Sequence, residues 1–138
     1  MKRVYLDSNV LISLIRAEMG APFKLMYQRA LDFLVSCEGR FEVLLSDLCL
    51  AEIERNAFSS RQDVLEILGR YHVPLLLIVT EPADEQRGRE IQRLGVHHPD
   101  SLHVALALKA KAAVLLTWNI KDFEPVRHLI NVREPDFG

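Results

Sequence analysis

Cysteine is scarce in this chain: Cys37 and Cys49 are the only two among 138 residues, and their spacing is not of the metal-binding kind. That argues against a disulfide-stapled secreted scaffold, and both thiols are expected to be reduced and buried. Long apolar runs are missing as well, none reaching the roughly 18 residues of a membrane-spanning helix. No charge of one sign dominates. The 17 basic and 19 acidic residues leave a net −2, which does not indicate a generally basic nucleic-acid binder and leaves open a local basic patch or a metal-neutralised acidic pocket. Internal repeats, low-complexity tracts and linkers are absent. The first residues run straight into an apolar strand pattern with no room for a signal peptide, so a cytoplasmic location is expected. What remains is 49% hydrophobic and 26% charged residues, the balance of a soluble globular protein forming one domain over residues 1–138.

The organising stretch is Val4-Tyr5-Leu6-Asp7-Ser8-Asn9-Val10-Leu11-Ile12. A short apolar run suited to a buried parallel strand meets residues that cap helices. Asp7 therefore lies where a strand ends and a helix begins, the end at which open α/β sheets gather their ligands. A helix follows to about Arg16, the segment Glu18 to Pro22 breaks it, and a second helix runs from about Pro22 to Ser36. Phe41 to Leu45 reads as a strand, Ser46-Asp47 opens a helix to about Asn56, and Ser60 to Arg70 forms another. Leu75 to Val79 is an unbroken apolar run, the pattern of a fully buried strand. Glu81 to Leu94 reads as a polar, exposed helix closed by Gly95, and Pro99 suits the first position of an Ala- and Leu-rich helix ending near Lys111. Ala113 to Thr117 is a further buried strand, Trp118 to Phe123 a loop or short helix, and Leu129 to Val132 a last short strand. Strands alternating with helices predict one parallel sheet covered on both faces.

Acidic residues fall at four places along this pattern: Asp7; Glu52 and Glu54; Asp100; and the Asn119–Asp122 pair. At least two of these places lie just past strand ends. Gathering carboxylates without a counter-ion costs several kcal/mol, and a hard divalent cation with oxygen ligands removes that cost. Such a pocket suits metal-assisted phosphodiester hydrolysis, with a carboxylate orienting or deprotonating the attacking water. The competing reading makes the same acids helix caps and solvated surface groups. Spacing alone does not choose Glu52 over Glu54, or Asn119 over Asp122. Asp100, in the first turn of its helix, is expected to be favoured in its charged form.

Four motifs in order, Tyr5 to Ile12, Leu50-Ala51-Glu52-Ile53, Pro99-Asp100-Ser101-Leu102-His103-Val104-Ala105-Leu106-Ala107, and Leu116-Thr117-Trp118-Asn119-Ile120-Lys121-Asp122-Phe123, resemble those of a PIN domain over nearly the whole chain. The resemblance implies a three-layer α/β/α sandwich with a mainly parallel central sheet. It also implies a Mg²⁺- or Mn²⁺-dependent endoribonuclease, often the VapC-type toxin of a toxin–antitoxin pair, bound to an antitoxin and forming a homodimer. Matched motif by motif, Asp7, Glu52, Asp100 and Asn119 take the catalytic and metal-binding positions, and Thr117 and Asn9 the supporting polar ones, with Ser8 a weaker match. Asn119 departs from the aspartate usual there. An amide ligates through its carbonyl oxygen or holds a water but brings no charge, weakening a second metal, and Asp122 is placed to compensate. The alternative is a PIN-fold binding module with little nuclease activity. An aspartyl-nucleophile phosphatase fits poorly, because Asp7-Ser8-Asn9 lacks a second aspartate two residues on.

Other features carry two readings each. His98, Asp100 and His103 suggest a zinc site, or histidines at a pocket rim or packed in a helix. Trp118 stacks on a base or packs beside a strand end. Arg87, Arg89 and Arg93 form a solvated face or an RNA-backbone contact.

Overall fold

A computed structural model describes residues 1–18 and 24–135. The break expected at Glu18 to Pro22 and the start of the second helix lie largely outside the described residues. The strands are β1 (Lys2–Leu6), β2 (Phe41–Ser46), β3 (Leu75–Ile78), β4 (Val114–Leu116) and β5 (Val132–Arg133). They form one sheet in the order β3-β2-β1-β4-β5, and every pairing is parallel. The helices are α1 (Ser8–Glu18), α2 (Lys24–Ser36), α3 (Asp47–Ala57), α4 (Arg61–Arg70), α5 (Pro82–Gln92) and α6 (Asp100–Lys109), with a 3-10 helix at Ile120–Val126.

Alternation along β1 sorts the core into its two layers. Val4 and Leu6 face the cluster built with α1 to α4, whereas Tyr5 faces the cluster built with α5, α6 and the 3-10 helix. Local chemistry sets the ends of the elements. Ser46 accepts from the backbone N–H of Cys49 at 3.0 Å and starts α3, Ser60 and Asp63 form a reciprocal cap on α4, and Gly95 takes a φ of +111° beyond α5. Pro99 is the cap of α6 and Asp100 its first residue, one place later than expected. The last strand is likewise shorter and later, at Val132–Arg133.

The apolar run after Pro74 is not a buried strand. β3 lies at the sheet edge, where its two faces are only partly covered, and Leu76 and Leu77 are 37% and 39% exposed. A continuous apolar run has the same sequence pattern at the centre and at the edge; the strand order decides between them. α5 is polar and mostly exposed, as expected, yet Asp84, Gly88 and Ile91 form a buried stripe at helical spacing. Asp84 caps the helix from inside, accepting from the N–H of Glu81 at 2.8 Å and from Lys109 Nζ at 2.7 Å. Both cysteines are buried and free, and burial pushes the Cys37 thiol up to about 12. Among the described residues no helix is long and apolar enough to cross a membrane.

Gly88 lets α5 lie close against α6, the helix that carries Asp100. A Cβ at position 88 would stand 3.4 Å from the Cα of Leu102. Gly88→Ile should therefore lower stability by about 1–3 kcal/mol through overpacking, read as a shift of the urea midpoint at constant slope. Gly88→Ala should stay within about 1 kcal/mol of wild type, because the gain in helix propensity offsets the tight contact.

Candidate metal centre

The chain turns back on itself in both directions from β1: β2 lies on one side of it and β4 on the other. The crevice outside the carboxyl ends of β1 and β4 is thus the topological switch point where α/β sheets bind ligands. Asp7 stands there. Its N–H donates to the carbonyl of Leu116 at 3.0 Å, and its own carbonyl accepts from Val10 as α1 begins. Its side chain does more than cap: Thr117 Oγ1 donates to Asp7 Oδ2 at 2.8 Å. Asn9 Nδ2 donates to the same threonine oxygen at 3.0 Å, and so does the N–H of Asn119 at 3.1 Å. Asn9 and Thr117 thus form a hydrogen-bonded relay behind Asp7.

Helix phase decides between the two glutamates. Cys49, Glu52, Ile53 and Ala57 share the buried face of α3, and Glu54 points to solvent. Ser8 Oγ donates to Glu52 Oε1 at 3.0 Å, so Ser8 reaches into the site and is not only a cap. His103, one turn into α6 from Asp100, was expected at a rim or in helix packing; it sits at the centre, fully buried. Its Nε2 lies 2.6 Å from Glu52 Oε1 and 3.8 Å from Asp7 Oδ1, and its Nδ1 lies 2.6 Å from the Tyr5 hydroxyl. That hydroxyl is in turn 2.8 Å from Ser46 Oγ. Asp7, Glu52 and His103 bring their polar atoms within 4.8 Å of one another. No zinc trio forms with His98, which is exposed while both ring nitrogens of His103 are already engaged.

The electrostatics follow from the burial. Asp7, 6% exposed, is raised because desolvation outweighs the attraction of His103 and the bond from Thr117. Desolvation also acts on Glu52, but the hydrogen bond and charge of His103 and the bond from Ser8 overcome it, and Glu52 is lowered. Burial disfavours protonated His103, yet Glu52 and Asp7 raise its pKa overall. Asp100 is pushed up to about 6, first by desolvation and then by the charge of Asp7, with Asp122 and Glu52 adding. The helix N-terminus does not offset burial and these neighbours, so the Asp100 pKa rises instead of falling.

Asn119 begins the 3-10 helix and lines a cavity of about 220 Å³ beside the acids, with Asn9, Ile12, Ser13, Arg16, Met26 and Trp118. Its side-chain amide has no hydrogen bond among the described residues. Trp118 is partly buried, its Nε1 donating to Ser13 Oγ at 3.1 Å and its ring lying 4.8 Å from the Arg29 guanidinium. It packs here, with one edge on the cavity. Arg87 and Arg89 pair with Glu90 and Gln86 on the surface of α5, as a solvated face does. The sequence reading gave Tyr5 and Ser46 no place at the site and weighed His103 only as a zinc ligand, a rim residue or helix packing; the one signal for its position was its place one helical turn from an acid.

No protein-family model matches the chain, and no curated protein sequence matches it. Among solved structures, it is similar to a chain of VapBC2 from Rickettsia felis bound to a DNA fragment from its promoter, with a TM-score of 0.62, 21% identity, and 95% of this chain and 98% of that chain covered. It is also similar to a chain of VapBC-1 from nontypeable Haemophilus influenzae, with a TM-score of 0.63, 15% identity, and 98% and 99% covered. The chain thus has the PIN-like α/β/α fold of the VapC-type proteins, and the resemblance carried by its four motifs is borne out at the level of the fold.

A carboxyl whose folded-state pKa lies above its unfolded value binds its proton more tightly in the native protein. For Asp100, native stability should fall as pH rises from about 4, the unfolded value, to about 6, and the full penalty should stand above that. In metal-free protein, Asp100→Asn should accordingly be more stable than wild type at pH 8, by about 1 kcal/mol once solvent screening is allowed for, and equal to it at pH 4. Chemical unfolding at the two pH values measures the difference.

Proposed function

We propose that this chain is a divalent-metal-dependent endoribonuclease and the toxin of a toxin–antitoxin pair. The observation that carries the reading is the meeting of Asp7 and Glu52 at the switch point, with Asp100 raised to about 6 first by burial and then by the charges of Asp7, Asp122 and Glu52. Carboxylates crowded to this degree suit a cation. The donor set is hard oxygen, as Mg²⁺ or Mn²⁺ prefers. Asp7, Glu52 and Asp100 are the ligands in this reading. Asn119 is the fourth member, through its carbonyl oxygen or a held water, and Asp122 restores the charge that Asn119 lacks.

A bound ion would supply Lewis-acid polarisation of the phosphodiester and of the attacking water. The chain's own residues do the remainder. Thr117 and Asn9 keep Asp7 from turning. A carboxylate of this set orients or deprotonates the attacking water. The cavity beside Asn119, bounded by Arg16 and Trp118, has the charge and the apolar wall to receive an RNA strand. The VapBC neighbours are complexes, which supports an antitoxin partner; a homodimer and a cytoplasmic setting belong to the same reading.

The second reading, a PIN-fold binding module with little nuclease activity, is favoured by Asn119 and by His103, which supplies a counter-charge without any metal. Cleavage of a mixed-sequence RNA with Mn²⁺ separates the two. Wild type should cut, EDTA should abolish cutting, and Asp7→Asn should lower the rate at least 100-fold. Asn119→Asp should tighten Mn²⁺ binding in calorimetry, each 1.4 kcal/mol gained being about tenfold in affinity. Cutting that survives both EDTA and Asp7→Asn would overturn the nuclease reading.

A further inference from the structure

Glu52 receives two hydrogen bonds, and both fall on the same oxygen. Ser8 Oγ donates to Oε1 at 3.0 Å and His103 Nε2 lies 2.6 Å from Oε1. Oε2 has no hydrogen bond among the described residues. A carboxylate held through one oxygen cannot rotate without breaking both bonds, so the other oxygen keeps a set direction. His103 is itself held from behind: its Nδ1 lies 2.6 Å from the Tyr5 hydroxyl, which lies 2.8 Å from Ser46 Oγ. Tyr5 is on the central strand and Ser46 caps α3, the helix that carries Glu52. The chain Ser46–Tyr5–His103–Glu52 therefore closes a loop through β1, α6 and α3.

Only one role for the imidazole satisfies these contacts. Glu52 is a carboxylate and accepts, so Nε2 carries the proton and donates. This holds in both charge states of the ring. In the neutral ring Nδ1 accepts from the Tyr5 hydroxyl, which takes the Ser46 hydroxyl proton as acceptor; in the charged ring both bonds run the other way. A metal ligand needs a bare nitrogen lone pair, and the nitrogen near the acids does not offer one.

We infer that His103, backed by Tyr5 and Ser46, is a positioning residue that fixes the Glu52 carboxylate through Oε1, leaving Oε2 for the ion, and is not itself a ligand. This rests on the metal-dependent reading above. It deepens that reading by naming what orients one of the ligands, and by removing the histidine from the set of groups that bind the ion.

The experiment combines Mn²⁺ binding by calorimetry, pulsed EPR of the Mn²⁺-loaded protein, and ¹⁵N NMR of the imidazole in metal-free protein. His103→Leu, shown folded by its melting curve, should bind Mn²⁺ about 10–100-fold more weakly, the usual cost of losing such a partner. Tyr5→Phe keeps the ring in the core and removes only the hydroxyl, and should lie at the low end of that range. Electron spin echoes from the wild-type ion should show no imidazole nitrogen coupling. The Nε2–H proton of His103 should be resolved in wild type and shift in Glu52→Gln. Unchanged Mn²⁺ affinity in both variants, a strong imidazole coupling, or an Nε2–H signal indifferent to Glu52→Gln would each overturn the inference while leaving the nuclease reading in place. Wild type that binds no Mn²⁺ at millimolar concentration would instead overturn the metal-dependent reading itself, and this inference with it.

Discussion

The site depends on one electrostatic constraint: Asp7 and Glu52 are buried side by side where three layers of the fold meet. Two carboxylates withdrawn from water repel each other at an effective dielectric well below that of bulk solvent. The fold meets that cost with directed donors rather than with distance. Thr117 holds one oxygen of Asp7, Ser8 and His103 hold one oxygen of Glu52, and His103 stands between the two acids. Asp100 has no hydrogen bond to its carboxylate among the described residues, and it takes up the imbalance as a raised pKa. The group left least satisfied is the one with most to gain from a cation or from a proton.

The scaffold makes this arrangement from elements that are rigid for other reasons. Asp7 lies between a central strand and a helix, with a backbone hydrogen bond to β4 on one side and the first turn of α1 on the other. Glu52 is on a helix whose start is fixed by Ser46, and the Ser46 hydroxyl also meets the tyrosine that supports His103. Residue 88 is a glycine where α6 approaches α5. Backbone geometry sets the positions of the acids, and polar side chains set their directions.

The fold and part of the site were legible in local sequence because their signals are local. Strand-to-helix transitions carry cap residues and a change of hydrophobic period, which placed Asp7, the start of α3 and the start of α6 within a residue or two. The all-parallel sheet followed from alternation. The edge position of β3 did not, because Leu75 to Val79 has the same composition as a central strand and only the order of strands exposes Leu76 and Leu77. The direction of the Asp100 shift was also out of reach. A helix N-terminus favours the anion, and only burial, with Asp7 and Asp122 arriving around the same group, reverses it.

By itself, the sequence determined an α/β chain with acids at strand ends and free buried thiols. It could do so because these features depend on neighbours a few residues apart. The tertiary structure buries Glu52 and leaves Glu54 in solvent, in line with the motif match, and it alone decided that Asn119 borders a cavity and that a histidine joins two of the acids. His103 is 51 residues from Glu52 and 98 from Tyr5. Contacts at such separations are made by the crossing of β1, α3 and α6, and no spacing within one segment encodes that crossing.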